Sequence, residues 1–225
     1  MKLSIIVPVL NEAEGIVAAL DTLAPLRAFG AEVLVADGGS TDGTPERASS
    51  LADRVIVTPR GRALQMNAGG QIASGDALLF LHADTRLPPH AHTLVERALA
   101  GRSWGRFDVA IAGRSAWLPV IAMSMNLRSR LTGIATGDQA IFVTRAAFEA
   151  AGGFPAQPLM EDIELSKRLK RLGPPAGLRA RVTTSGRRWD THGAWRTILL
   201  MWRLRFDYWR GVPPAHLATR YYNAS

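Results

Sequence analysis

The 225 residues contain no cysteine, which excludes disulfides, thiolate metal sites and a cysteine nucleophile. No apolar run approaches the roughly 20 residues that a bilayer-spanning helix needs. The N-terminus lacks a basic segment followed by a long apolar stretch. Met1-Lys2-Leu3-Ser4 passes straight into a strand-like run, so no signal peptide is expected and the expected location is cytoplasmic. Internal repeats and low-complexity linkers are also absent. Acidic residues are in the minority: 27 Lys and Arg stand against 19 Asp and Glu, a net charge of +8. That balance points to an anionic partner such as a nucleotide, a lipid phosphate, nucleic acid or a membrane surface. Nucleic acid is not expected, because no basic stripe with interleaved aromatics and no nucleic-acid-binding module is found. The excess is largely Arg, gathered at Arg102–Arg130 and Arg168–Arg210, and a solvated basic surface accounts for part of it. What remains, 47% hydrophobic and 20% charged residues, is the composition of a globular chain long enough for one α/β domain or a domain with an appendage.

Periodicity places the elements. Leu3–Val7 reads as a buried strand stopped by Pro8, with Asn11 the expected N-cap of a helix carrying Ile16, Ala19, Leu20 and Leu23. Val33–Val35 gives a second buried strand, which runs into the small-residue loop Asp37–Thr44. Strand, helix, strand in under forty residues is a βαβ unit, so a parallel sheet is expected. A helix over 45–51, a short strand over 54–58 and a glycine-flanked helix from Gly61 to near Gly75 follow. Ala77–Leu81 is a continuous apolar run suited to a strand buried on both faces. It ends at His82-Ala83-Asp84, and in open α/β sheets ligands bind at strand carboxyl ends. A carboxylate there can hold a hard divalent cation that also binds phosphate; the alternative is that Asp84 merely caps a turn before Pro88-Pro89.

A helix is expected over 90–100. Beyond Gly101 the pattern changes. Ser103–Gly113 alternates like an antiparallel strand with Trp104, Phe107, Val109 and Ile111 near one face, 118–131 looks helical, and 136–144 reads as a strand. Glu161–Leu172 is an amphipathic helix with Ile163, Leu165, Leu169 and Leu172 inward and Gly173 at its end. One domain over 1–190 is expected, with a nucleotide half (1–100) and an acceptor half (101–190), followed by an amphipathic helical segment over 191–225.

Pro8-Val9-Leu10-Asn11-Glu12, Asp37–Thr44, Asn67-Ala68-Gly69, Ala83-Asp84, Gly152-Gly153-Phe154 and Met160-Glu161-Asp162 occur in this order. Together they resemble the family-2 glycosyltransferases of the GT-A fold, over about Leu3 to Gly173. The resemblance implies an α/β fold with a mixed, mainly parallel Rossmann-like sheet flanked by helices, and a nucleotide-diphosphate sugar as donor. It implies that Pro8, Val9, Asn11, Glu12 and Asp37 line the nucleotide, with Gly61, Arg62, Asn67, His82, Ala83 and Asp84 completing the donor site. Asp84 would bind Mn²⁺ or Mg²⁺, and such a cation would neutralise the charge gathering on the leaving diphosphate. Asp37 can accept a hydrogen bond from a base N–H; alternatively it closes an Asx-turn in its glycine-rich loop. Asp162, at a helix N-terminus whose dipole favours the ionised form, is the candidate general base, against the alternative that Glu161 and Asp162 only complement that dipole. A single displacement with one base implies inversion at the anomeric carbon.

Two positions depart from the usual family pattern. His82 stands first in the expected Asp-x-Asp, where it could touch ribose or metal or serve as a neutral orienting group. Gly38 stands where a second Asp is common. Residues 126–133, 137–142 and 184–189 further resemble a bacterial subgroup named transferase 2, radical-SAM/selenodomain-associated. Arg187 or Arg188 could approach the diphosphate, or both could be surface charge. His192 is a further candidate ligand or a surface residue.

Trp195, Trp202 and Trp209 lie seven residues apart, with Arg196, Arg203 and Arg210 adjacent. On a helix they form an aromatic stripe beside a basic one. The stripe suits packing on the domain or in a homodimer; it also suits peripheral contact with the inner face of a membrane or with a lipid-linked acceptor. Two rival functions stand beside the transferase. A sugar-phosphate nucleotidyltransferase would want a Gly- and Arg-containing phosphate loop where the chain has Pro8–Glu12, and a non-catalytic nucleotide-binding or membrane-docking module would keep the fold alone.

Overall fold

The computed structural model of the chain describes residues 1–223. Eight strands form one sheet: β1 (Leu3–Val9), β2 (Glu32–Asp37), β3 (Arg54–Val57), β4 (Ala77–Phe80), β5 (Thr85–Arg86), β6 (Trp104–Ala112), β7 (Phe142–Thr144) and β8 (Ala176–Ser185). Their order is β3-β2-β1-β4-β7-β6-β8-β5. β3, β2, β1 and β4 run parallel, β7 is antiparallel to both β4 and β6, and β6 runs parallel to β8. The fold is therefore the expected mixed, mainly parallel α/β sheet.

The apolar runs of β1, β2 and β4 have no polar face because both sides of the sheet are covered. Ile5, Val7, Val33, Val35 and Leu79 pack into one core, while Ile6, Leu34, Leu78 and Phe80 pack into a second core on the other side. Helix Arg62–Ile72 lies over β1 in that second core, and its closeness depends on Gly69, where an added Cβ would fall 2.5 Å from Ile6 Cγ2. β1 is the switch point of the sheet: the chain leaves it toward β2 on one side and later returns as β4 on the other. The crevice between their carboxyl ends is the ligand position of such folds. Asn11 and Glu12 follow β1 there, and His82 to Asp84 follow β4.

Several elements differ from the sequence expectation. β1 continues through Pro8 to Val9, because parallel pairing with β2 carries on past the proline. Asn11 does not cap a helix. It adopts a left-handed conformation (φ 53°), and the first helix is Ile16–Asp21, entered through Gly15. β6 is buried through Arg106 and Asp108 instead of alternating, and its longest pairing is the parallel one with β8. Trp104 packs in the second core, opposite Phe107 and Val109. The segment 136–144 divides into a 3₁₀ turn, Gly137–Gln139, and the short β7. Leu172 is exposed, at the frayed end of helix Glu161–Leu172.

The C-terminal segment holds two longer helices, Ala194–Trp209 and Pro214–Asn223, after a short one over Arg187–His192; its last two residues, 224–225, lie outside the described residues. Leu204 and Leu217 pack with Leu159, Met160 and Ile163. The aromatic stripe faces away from this contact: Trp195, Trp202 and Trp209 are 60%, 73% and 79% exposed. Packing of that stripe on its own domain is thus not what the fold does. Helix Leu118–Thr132 adds Val120, Met123, Leu127 and Leu131, all exposed, and Trp117 joins the two faces by an edge contact with Trp195 at 4.9 Å. No helix among the described residues is long and apolar enough to cross a membrane.

Candidate active site

The first part of the site is the floor formed after β1 and β2. Asn11 and Ser40 interlock: Asn11 N–H donates to Ser40 Oγ (2.8 Å), while Thr41 N–H donates to Asn11 Oδ1 (3.0 Å). Glu12 N–H donates to Thr44 Oγ1 and Ala13 N–H to Asp42 Oδ2. Asp37 is buried, and its carboxylate accepts from Gly39 N–H (2.9 Å), Ser40 N–H (2.8 Å) and the Ser40 hydroxyl. The Asx-turn foreseen as its alternative role is therefore present, and it fixes the loop in which Asp37 would meet a base. Gln65, which sequence reasoning missed, ties β1 to β2: its Nε2 donates to Val9 C=O (2.7 Å) and Ala36 C=O (2.8 Å). An added Cβ at Gly38 would lie 3.1 Å from the Gln65 amide. Gln65 thus explains the glycine where the family pattern often has Asp.

A cleft of about 610 Å³ opens above this floor, lined among others by Asn11, Glu12, Asp42, Ala83, Asp84 and Arg187. Asp84 is exposed at its mouth. Burial, together with the nearby carboxylates of Asp84 and Asp42, raises the Glu12 pKa, and Arg187 offsets part of this. Four carboxylates, Glu12, Glu14, Asp42 and Asp84, line this cleft with two arginines, Arg47 and Arg187, a set that suits a hard cation shared with a phosphorylated ligand. Among the described residues no three His, Cys, Asp or Glu side chains are grouped tightly enough to hold an ion unaided. Asp84 would supply the protein's anionic ligand, and phosphate and water the rest.

The second part joins distant segments. Asp162 lies in the first turn of helix Glu161–Leu172, entered through Met160 in a left-handed conformation (φ 65°). Its Oδ1 accepts from its neighbour's N–H, Ile163, at 2.7 Å, and its Oδ2 from Gly137 N–H at 2.9 Å. His82 packs against the same Gly137, where an added Cβ would fall 2.5 Å from both Cε1 and Nε2 of the imidazole. His82 Nδ1 faces Asp138 Oδ1 at 3.5 Å. The imidazole is therefore directed at Gly137 and Asp138 of the acceptor half. Burial alone would raise Asp138, but His82, Arg62 and Arg128 outweigh it and hold the carboxyl below its usual range.

Arg62 reaches Glu161 Oε1 at 3.4 Å. Glu161 is buried; desolvation, and then the charge of Asp162, raise its pKa against the pull of Arg62. Asn67 serves the frame: its amide exchanges two hydrogen bonds with the backbone of Phe154, each 2.8 Å. Gly61, with φ 147°, starts the helix that carries both Arg62 and Asn67. Pro8 and Ala83 contribute backbone at the ends of β1 and β4. Helix Pro214–Asn223, which no motif announced, brings Tyr221 within reach of the charges of Arg188, Arg62 and Asp138. The Arg188 guanidinium stacks on its ring at 3.8 Å, and burial raises the phenol pKa against the charges of Arg188 and Arg62.

A crevice at the switch point of a mainly parallel sheet, with an exposed acid at one strand end and a held carboxylate opposite, defines an α/β transferase of the GT-A type. The chain belongs to glycosyl transferase family 2, whose family model matches residues 4–149. Succinoglycan biosynthesis protein ExoA of Rhizobium meliloti is 34% identical over 195 residues, which cover 75% of this chain and 58% of that protein. A PGL/p-HBAD biosynthesis glycosyltransferase of Mycobacterium bovis is 41% identical over 91 residues, 37% of this chain and 36% of the relative. The chain thus spans between about a third and three fifths of the length of these relatives. Among solved structures, the mannosyltransferase PcManGT of Pyrobaculum calidifontis in complex with GDP-Man and Mn²⁺ has a similar fold, with a TM-score of 0.66 at 23% identity over 90% of this chain and 61% of that one. S. aureus TarS 1-349 in complex with UDP has the same score at 21% identity, over 82% of this chain and 60% of that one.

Proposed function

We propose that this chain carries the catalytic domain of an inverting, metal-dependent glycosyltransferase, which moves a sugar from a nucleotide-diphosphate sugar to a hydroxyl acceptor. Residues 1–100 bind the nucleotide and residues 101–190 the acceptor. The observation that carries this reading is the contact chain from Asp162 through Gly137 to His82. It connects the candidate base to the strand end bearing Asp84. Pro8, Val9, Asn11, Glu12 and Asp37 would border the base and ribose, and Gly61, Arg62, Asn67, His82 and Ala83 the diphosphate sugar. Asp84 would hold Mn²⁺ or Mg²⁺, which when bound supplies positive charge beside the diphosphate. The complex of PcManGT with GDP-Man and Mn²⁺ supports a donor of this class.

In the reaction the acceptor oxygen attacks the anomeric carbon as its proton passes to Asp162. The bond from that carbon to the diphosphate oxygen breaks, and its electron pair leaves with the nucleoside diphosphate. Asp162 is aimed by two backbone N–H groups, those of Gly137 and Ile163. The test is transfer or donor hydrolysis across a panel of nucleotide sugars. Asp162→Asn should lower the rate by about 10²–10⁴-fold while donor binding persists. Equal rates in wild type and Asp162→Asn would sink the base assignment, and no turnover of any donor by wild type would favour a non-catalytic module. The narrower likeness to the radical-SAM/selenodomain-associated subgroup is part of the proposal and leaves the acceptor open.

The exposed face shared by helices Leu118–Thr132 and Ala194–Trp209 we assign to an anionic bilayer surface. Arg196, Arg203 and Arg210 are exposed beside Trp195, Trp202 and Trp209, and this charge complements anionic lipid. Binding to vesicles containing phosphatidylglycerol, weakened in Trp202→Ser/Trp209→Ser, supports the assignment. Absence of vesicle binding with a concentration-dependent dimer lost in the same variant would make the face a homodimer interface instead.

A further inference from the structure

Two of the basic side chains at the acceptor side of the cleft have no work in the reaction described so far. Arg128 projects from helix Leu118–Thr132, which is firmly docked. Asn126 exchanges two hydrogen bonds with the Val109 backbone, at 2.8 and 2.9 Å. Both terminal nitrogens of the Arg128 guanidinium are buried and donate to no partner. Among the described residues, the buried side-chain nitrogens without a hydrogen bond are these two and His82 Nε2. Arg128 feels the charges of Asp162 and Asp138, and His82 lies against Gly137 and Asp138.

Arg205, from helix Ala194–Trp209, is close enough to Arg128 for their charges to repel, and it too feels Asp162. Burial, reinforced by Arg205, brings the Arg128 pKa down to about 10, so the group stays charged near neutral pH. A desolvated guanidinium whose terminal N–H groups find no acceptor costs free energy. The charges of Asp162 and Asp138 offset part of this, but neither carboxylate accepts a hydrogen bond from the terminal nitrogens. A bound anion would supply the missing acceptors in the forked geometry that arginine favours.

We infer that Arg128 and Arg205 form a seat for an anionic group, a phosphate or carboxylate, carried by the acceptor molecule, whose hydroxyl then lies beside Asp162. The inference rests on the transferase reading for the word acceptor, but the seat itself does not. Neither arginine lines the donor cleft, whose own arginines are Arg47 and Arg187.

The test is a thermal shift of the full chain with inorganic phosphate against chloride at equal ionic strength. Wild type, Arg128→Met, Arg205→Met and Asp84→Ala are compared, each also titrated with nucleoside diphosphates and Mn²⁺. Phosphate should raise the melting temperature of wild type and Asp84→Ala, and bind at least about tenfold more weakly to both arginine variants. Without phosphate, Arg128→Met should melt higher than wild type by about 3 °C, because an unpaired buried charge has been removed. A merely structural arginine would give the opposite sign. An unchanged phosphate shift in Arg128→Met, a shift lost only in Asp84→Ala, or no shift in wild type would overturn the seat. If phosphate binding depends on Arg128 while no nucleotide stabilises any variant, the seat stands and the transferase reading falls. Vesicles of phosphatidylcholine with and without phosphatidic acid separate the sources. Arg128-dependent retention on the acidic vesicles supports a lipid phosphate head, and a response confined to free phosphate supports a soluble acceptor.

Discussion

Replacing Gly137 with alanine tests the contact that joins the two halves of the site. The new Cβ would lie 2.5 Å from His82 Cε1 and Nε2, roughly 1 Å inside ordinary carbon contact. Something must move by about that amount. If the imidazole moves, it leaves Asp138, 3.5 Å away; if the backbone moves, it withdraws the N–H that holds Asp162 at 2.9 Å. Overpacking of this kind costs about 1–3 kcal/mol, and each kcal/mol lowers the melting temperature by about 2–4 °C in a domain of this size. Gly137→Ala should therefore melt about 2–12 °C lower. Urea unfolding of wild type, Gly137→Ala, His82→Ala and the double variant measures the coupling directly. Because His82→Ala vacates the space, the two substitutions should be non-additive, with a coupling of about 0.5–3 kcal/mol. Strict additivity, or a Gly137→Ala melting point equal to wild type, would refute the packing of His82 on Gly137.

Asp108 is buried on β6 and pairs with both Arg106 and Arg130. Asp108→Asn should cost about 3–5 kcal/mol in urea unfolding, since it strands the buried Arg106; a loss below about 1 kcal/mol would contradict that pairing. Glu32, the first residue of β2, is buried, and burial pushes its pKa up, but hydrogen bonds from Ser4 and Ser74 hold it below the usual carboxylate range. In the window between its folded and unfolded pKa the unfolded chain binds more protons, so stability rises with pH. The advantage of wild type over Glu32→Gln should be complete above the unfolded value of about 4.3 and vanish as pH falls through the lower folded pKa. A stability difference independent of pH across that window would contradict it.

The parallel half of the fold was legible because its strands are buried on both faces and so appear as unbroken apolar runs, as in Val33–Val35 and Ala77–Phe80. Asp84 was legible for the same reason, being the first acid after such a run. β8 escaped notice because Arg179 and Arg181 interrupt it and its outward positions are exposed; the antiparallel reading of its partner β6 holds for the pairing with β7 but not for the longer one with β8. The base candidate Asp162 could be named from its motif, but not its tie to Gly137, which spans 25 positions of chain. Gln65, Arg128, Arg205 and Tyr221 come together only through tertiary packing, and no local spacing marks them. A sign existed for Arg128, since an arginine two residues beyond the buried Asn126 shares its helix end. The tryptophan stripe was visible as a periodicity, but whether it faces core or solvent depends on which side of the helix Leu204 buries.

The central claim is that the switch-point crevice binds a nucleoside diphosphate through a cation at Asp84. Calorimetric titration of UDP, GDP, CDP and dTDP with and without Mn²⁺, on wild type and Asp84→Ala, measures it directly. The account predicts that one nucleotide binds wild type far more tightly with the metal present, and that Asp84→Ala loses this enhancement. Metal-independent binding that survives unchanged in Asp84→Ala, or no binding of any of the four, would contradict it.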